Sequence, residues 1–118
     1  MKLKGYLDYL NDSKNHIELK KFIIRNQQSI AYEFITSWDG EGFWFFSGVA
    51  NYDGNKLYKT KKIRGKLTSD ASVEELNEAD IEFEIIEVDQ EHGEVEISGK
   101  ISYGSNQYRF QGLLEESS

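Results

Sequence analysis

The chain has 118 residues and no cysteine, which excludes disulfide bonds, thiol catalysis and thiolate metal sites. This length is typical of one domain with a single core, here residues 1–118, and an aromatic content of 14% argues against disorder although 30% of the residues are charged. The net charge of −7 is unevenly distributed, because residues 70 to 96 contain twelve acidic residues and no basic one, while the rest of the chain has a basic excess.

The apolar run of the N-terminal segment MKLKGYLDYLN is interrupted by Asp8 and Asn11, which excludes a signal peptide. No stretch of the sequence approaches the roughly 20 apolar residues that a membrane helix needs. We therefore expect a soluble, cytoplasmic protein without a membrane partner.

Alternation of apolar and polar residues dominates the chain and predicts eight strands, separated by turns rich in Gly, Asn and Asp. The strands lie near residues 2–10, 15–25, 29–38, 42–52, 56–68, 80–89, 94–103 and 107–114. The longest interruption, SDASVEELNEAD, predicts a short helix between strands five and six, with Ser72 as its N-cap and Glu75 closing a capping box. These elements predict an all-β fold, an eight-stranded antiparallel curved barrel or sandwich, mostly up-and-down, with that one helix.

Glycine and aromatic residues suggest where a pocket or an interface would form. A two-residue turn at Ser105 and Asn106 would place Gly99 opposite Gly112 and leave a gap on the inner face of the sheet. The run GFWFFSGVANY places aromatic side chains on both faces of its strand, so the face away from the core would be self-covered, line a pocket or form an interface. The candidate residues are Trp38, Trp44, Phe46, Gly99 and Gly112.

This build resembles the calycin group, whose small up-and-down barrels carry apolar ligands. The resemblance is one of architecture, because the Gly-x-Trp signature of lipocalins is absent where Tyr6 and Leu7 follow Gly5. It implies one alternative function, the transport of a small apolar ligand.

No catalytic constellation is found in the sequence. The two histidines, His16 and His92, fall in predicted turns or at strand ends, and the chain has no nucleophile elbow, phosphate loop or Ser-His-Asp order. Acidic residues are so numerous that they indicate a charged surface, and no single pair stands out as a tuned acid–base pair. We therefore expect a protein that is not an enzyme and needs neither a metal nor a cofactor.

The stretch EVDQEHGEVEISG predicts a cluster of four carboxylates. The doubled Ile85-Ile86 indicates a β-bulge, after which Ile86 and Val88 are expected to face inward. Glu87 and Asp89 then point outward, beside Glu94 and Glu96 of the next strand. Like charges across a ladder repel, so this surface serves either solubility or the docking of a basic partner.

A small, acidic, cysteine-free domain of this kind resembles the immunity proteins that neutralise bacterial toxins. The resemblance implies a basic, nuclease-type toxin as the partner, which this chain would occlude without chemistry of its own. The expected contact residues are Glu74, Glu75, Glu78, Asp80, Glu82, Glu84, Glu87, Asp89, Glu91, Glu94 and Glu96.

A basic stretch, KLYKTKKIRGK, lies before this acidic segment. Its six positive charges surround Tyr58, a combination that also occurs in proteins that bind single-stranded nucleic acid. The acidic remainder of the surface would repel phosphate, so we do not expect nucleic acid as a partner.

Overall fold

The computed structural model describes residues 1–37, 43–63, 65–69, 72–75 and 79–117, apart from the side chains of residues 13, 14, 67–69 and 72–75. These residues form eleven strands and no helix. The strands are β1 (Leu3–Lys4), β2 (Tyr6–Tyr9), β3 (Asp12–Arg25), β4 (Ser29–Thr36), β5 (Phe43–Tyr52), β6 (Leu57–Ile63), β7 (Lys66–Ser69), β8 (Ser72–Glu75), β9 (Ala79–Asp89), β10 (Glu94–Tyr103) and β11 (Asn106–Glu116).

Eight of the strands close into an antiparallel barrel in the order β4-β3-β2-β11-β10-β9-β6-β5, with a β4–β5 pairing that completes the ring. The sequence prediction of an all-β antiparallel fold is therefore confirmed, and the barrel is closed. Most neighbours in the ring are also neighbours in sequence, as in an up-and-down barrel. β1 pairs with β11 in the same register as β2 does. Gly5 lies between β1 and β2, and its φ of +140° interrupts the extended strand.

The helix predicted over SDASVEELNEAD is not confirmed. Ser69 ends β7, and Ser72–Glu75 form β8, which pairs with β7 through contacts such as Lys66 with Glu75. The backbone groups that a capping box would have served lie instead in an antiparallel ladder. Residues 70, 71 and 76–78 of the predicted helix lie outside the described residues.

Aromatic side chains fill the inside of the barrel. Phe83 lies at their centre, with its ring 5.3 Å from the rings of Phe22 and Tyr32 and 5.8 Å from that of Phe110. All four residues are at most 1% exposed. The interior is thus occupied by the chain's own side chains, as is common in barrels of eight strands.

The register of β10 and β11 differs from the sequence prediction by two residues. The hairpin turns at Gly104 and Ser105, so Gly99 lies opposite Phe110 and Ile97 lies opposite Gly112. Gly104 has a φ of +59°, the sign that the first central residue of a two-residue hairpin turn requires. The expected gap between Gly99 and Gly112 does not form.

The space at Gly99 is closed by its neighbours. A Cβ at Gly99 would lie 2.6 Å from Phe110 Cζ and would also clash with the Glu82 carbonyl oxygen. Glycine is needed here because the strands and the Phe110 ring approach too closely for any side chain. The local gap that the sequence predicted at Gly99 is therefore absent.

The bulge predicted at Ile85-Ile86 is confirmed, since the β9–β10 register shifts between Glu96 and Ile97 and leaves Ile86 unpaired. Val88 lies opposite the buried Val95 and so faces the predicted side, but the side chains of Ile86 and Val88 are 48% and 42% exposed. β9 here extends beyond the start of β6, and no described strand pairs with it on that side.

Candidate functional site

Carboxylates of three adjacent strands form a continuous surface on the outside of the barrel, which we call the acidic face: Glu87, Asp89, Glu94, Glu96 and Glu115. Glu94 lies directly between Asp89 and Glu115, and Glu96 lies opposite Glu87. Within the described part of the chain, no Lys or Arg forms an ion pair with any of the five. The predicted cluster is therefore assembled, and β11 enlarges it.

Asp89 also holds the turn between β9 and β10. Its Oδ1 accepts a hydrogen bond from the His92 backbone N–H at 3.1 Å, and its Oδ2 lies 2.8 Å from His92 Nδ1. Gly93 completes the turn with a φ of +66°. Asp89, His92 and Glu94 offer three possible metal ligands within 4.8 Å of one another, but the bonds of the turn already explain why Asp89 and His92 lie together.

The other predicted contact residues have different surroundings. Glu82 lies between lysines of the two neighbouring strands, opposite Lys59, and pairs with Lys100 at 3.3 Å. Asp80 accepts a hydrogen bond from the Lys62 backbone N–H at 2.9 Å and so supports an irregular turn of β6. Glu82 is therefore neutralised by an ion pair, and Asp80 is used in a hydrogen bond within the fold.

The remaining members of the predicted set are dispersed. Glu84 faces Leu57 across the β6 ladder, and Glu91 lies in the exposed β9–β10 turn. Glu74 and Glu75 lie on β8, which pairs with β7 at the Ala79 end of β9, away from Asp89, and their side chains are not described. Glu78 lies outside the described residues.

Two exposed apolar side chains border the acidic face. Leu113 lies opposite Glu96 and is 56% exposed, and Tyr6 is exposed to the same extent. Both line a shallow depression of about 520 Å³ together with Lys4, Glu18 and Glu115. Many protein interfaces have such an apolar area with charged residues around it.

A second concave surface, the mouth cleft, lies at the barrel end that carries the β3–β4, β5–β6 and β9–β10 turns. Its volume is about 780 Å³. Its apolar lining residues are Met1, Ile24, Tyr52, Tyr58, Ile85, Ile86 and Val88. The cleft exists because β6 begins at Leu57, opposite Glu84, whereas β9 continues to Asp89.

The β5–β6 turn fixes the position at which β6 begins. Asp53 Oδ1 accepts hydrogen bonds from the backbone N–H groups of Asn55 at 2.6 Å and Leu57 at 3.2 Å. The bond from Asn55 is the main reason that the pKa of Asp53 lies below its ordinary value. Such a side-chain-capped turn ends the β5 ladder and starts the β6 ladder at defined residues.

Two of the predicted pocket residues belong to the core. Phe46 is fully buried and stacks on Phe34 with their ring centres 5.2 Å apart, and Trp44 is 9% exposed. Trp38 lies outside the described residues. The sequence analysis did not include Glu115, because its last predicted strand ended at residue 114. It did not include Leu113 or the mouth cleft either, because these depend on the pairing of strands.

Comparisons of the chain with protein-family models, curated proteins and solved structures find no match. Among the described residues, the structure has no helix with the length and apolar character needed to cross a bilayer. The function is therefore argued from the site alone.

Proposed function

We propose that this chain is a non-catalytic protein-binding domain whose acidic face docks a basic protein, in the manner of immunity proteins that bind and occlude bacterial toxins. The observation that carries the proposal is Glu94, which lies in register between Asp89 and Glu115 and forms no ion pair with a Lys or Arg among the described residues. Like charges at directly opposed positions destabilise a ladder. Lysines and arginines of a partner would remove that repulsion and would be attracted rapidly.

The exposed Leu113 and Tyr6 support the same function. Charges alone favour fast association, whereas apolar side chains that lose water at the centre of a contact supply much of the affinity. A nuclease-type partner fits this surface, because the cations that bind nucleic-acid phosphates would bind the carboxylates instead. Inhibition would follow from occlusion of the phosphate-binding surface.

The alternative of a carrier with an apolar ligand inside the barrel has little support from the geometry. Phe83 and its aromatic neighbours occupy the interior, and the Phe110 ring closes the space at Gly99. The mouth cleft lies outside this core.

Two matched variants test the proposal. The acidic-face variant carries Glu94→Gln and Glu96→Gln, and leaves Asp89 intact because it holds the turn. The control variant carries Asp8→Asn and Glu33→Gln on β2 and β4, and removes the same number of charges. Each protein is used to capture partners from extract of its own host, and the complexes are identified by native mass spectrometry.

We expect the natural sequence and the control variant to retain the same basic protein, which moderate salt releases and whose activity is inhibited in a one-to-one complex. The acidic-face variant should not retain this protein, because neutralising the carboxylates removes the same attraction that salt screens. A partner bound equally by all three proteins would contradict the proposal. So would a bound mass of a few hundred daltons with no protein partner.

A further inference from the structure

The second half of β9 has an unpaired side. β10 pairs with it along one side as far as Asp89, but on the other side β6 pairs no further than Glu84. No described strand takes its place along Ile85–Asp89, a segment that we call the open edge. Alternate residues of a strand direct their backbone N–H and C=O groups to the same side, so part of the open edge lacks backbone partners.

The local backbone keeps this edge open. Lys56, which precedes β6, has a φ of +74°, so the extended chain of β6 does not continue back along β9. Bonds from Asn55 and Leu57 to Asp53 hold the turn in that position. A lysine in the left-handed region is unfavourable compared with glycine, and it is tolerated here because the surrounding turn determines the conformation.

The mouth cleft lies directly beside the open edge. Ile85, Ile86 and Val88 line it from the β9 side, and Ile24 and Tyr52 line it from the opposite side. The five residues of the open edge span about 16 Å, which matches an extended segment of similar length. The cleft therefore offers backbone partners along one wall, and both apolar and polar contacts along the other, where Lys56 is the one cationic side chain among the described lining residues.

We propose that an extended segment of the basic partner adds to β9 as a further strand along Ile85–Asp89. Its apolar side chains would enter the mouth cleft and contact Val88, and the basic side chains between them would face Glu87 and Asp89. This inference rests on the proposed function and specifies how part of the partner binds. Strand addition combines backbone hydrogen bonds for affinity with alternate side chains for specificity.

Charge decides between this occupant and a second copy of the chain. An antiparallel pair of two open edges would bring Glu87 and Asp89 of one copy against the same carboxylates of the other, and residues 70 to 96 contain no basic residue to offset them. The side chains of a basic strand would instead be attracted by these carboxylates. The acidic edge therefore opposes self-association and favours a cationic partner.

The probe for this inference is the capped peptide KVKVKVK, in an unmodified form, a form N-methylated at the lysine amides and a form N-methylated at the valine amides. Binding is measured by NMR titration of the full chain, which reports on the amides of Ile85–Asp89. We expect the unmodified peptide to bind and only one methylated form to lose at least about tenfold in affinity, because alternate amides of a strand face one edge. The peptide EVEVEVE should not bind.

A pair of variants locates the contact. Val88→Lys places a positive charge in the mouth cleft and should weaken binding of KVKVKVK at least about tenfold. Val49→Lys is the matched control on β5, where Val49 is 44% exposed, and should leave binding unchanged. Both positions are partly exposed, so neither substitution removes core packing.

Other results would overturn strand addition. Equal binding by all three forms of KVKVKVK would show attraction by charge alone, which leaves the proposed function standing. No binding, with shifts of the same amides by dodecanoate, would identify a small-ligand cleft. Concentration-dependent broadening of the open edge without peptide would identify a second copy. Failure of the proposed function itself is recognised separately, by the capture experiment with the acidic-face variant.

Discussion

Tyr32 combines complete burial with a polar group that the core does not satisfy. Its hydroxyl has no hydrogen-bond partner among the described residues, and its side chain stacks on Phe34 and contacts Phe83. Burial raises the pKa of Tyr32 to about 12, an effect that the Thr60 side chain opposes only in part. The hydroxyl therefore contributes a desolvation cost that the nearby Thr60 side chain offsets only in part.

At neutral pH, the free energy of unfolding of Tyr32→Phe should be within about 1 kcal/mol of that of the natural protein or slightly above it, because the substitution removes a buried hydroxyl whose desolvation is only partly offset. The folded state holds the tyrosine proton more tightly than the unfolded chain does. Its contribution to stability is complete below about pH 10 and is lost as the pH rises towards 12. Urea unfolding at about pH 7 and about pH 11 measures both effects.

Tyr6→Phe, at a side chain that is 56% exposed, is the control for this comparison. It should change the free energy of unfolding by no more than about 0.5 kcal/mol at either pH. If the natural protein and Tyr32→Phe lose stability in parallel between the two pH values, the burial of the Tyr32 hydroxyl does not govern the alkaline loss.

At the scale of elements, the β9–β10 ladder contains two directly opposed carboxylate pairs, Glu96 with Glu87 and Glu94 with Asp89. Glu96→Lys would convert its contact with Glu87 from repulsion to attraction. We expect the free energy of unfolding to rise by up to about 1 kcal/mol at low salt and the gain to shrink in about 0.5 M salt. Urea unfolding at the two ionic strengths is the measurement.

Glu33→Lys on β4 is the matched control, because Glu33 already lies opposite Lys21. There the same substitution would replace an attractive contact by a repulsive one, so stability should fall rather than rise. A gain at both positions would mean that net charge, rather than the register of Glu87 and Glu96, limits stability.

The two hairpins that surround β10 illustrate what the sequence can predict. On the β9 side, the doubled Ile85-Ile86 and the alternation about Val95 place Glu87 and Asp89 beside Glu94 and Glu96 in either plausible hairpin register, and the structure brings these carboxylates together. On the β11 side, a slip of two residues keeps every side chain on its own face, so alternation could not choose between turns at Gly104-Ser105 and Ser105-Asn106. The choice depended on the φ of Gly104, which sequence periodicity does not contain.

The same reasoning explains the unconfirmed helix and the candidate site. Ser72 and Glu75 satisfy the pattern of a capping box, but four residues also suffice for a short strand once β7 offers a free edge. The four carboxylates of the acidic face on β9 and β10 followed from local alternation. Glu115 and the mouth cleft did not, because they depend on contacts between segments distant in sequence.

At the scale of the whole molecule, one aromatic side chain connects several walls of the barrel. Phe83 on β9 contacts Phe22 of β3, Tyr32 of β4 and Phe110 of β11. Phe83→Ala should lower the free energy of unfolding by about 3–5 kcal/mol, because it removes a large buried side chain and leaves a cavity. Thermal and urea unfolding measure the loss.

Phe43→Ala is the control, since Phe43 is 61% exposed at the start of β5. Its effect should stay within about 0.5 kcal/mol. Comparable losses for the two variants would indicate that the aromatic cluster around Phe83 is not the main source of core stability.

The pairing of β1 with β11 brings distant parts of the chain together, and the Ser117 backbone N–H donates a hydrogen bond to the Lys2 carbonyl at 2.8 Å. Connectivity around the ring is therefore nearly circular. A circular permutant that joins these two positions through a short linker and opens the exposed turn at Gly104 would keep every strand pairing. In such a permutant the acidic face would be assembled from the two extremities of the polypeptide, with β11 made first and β9 and β10 made last.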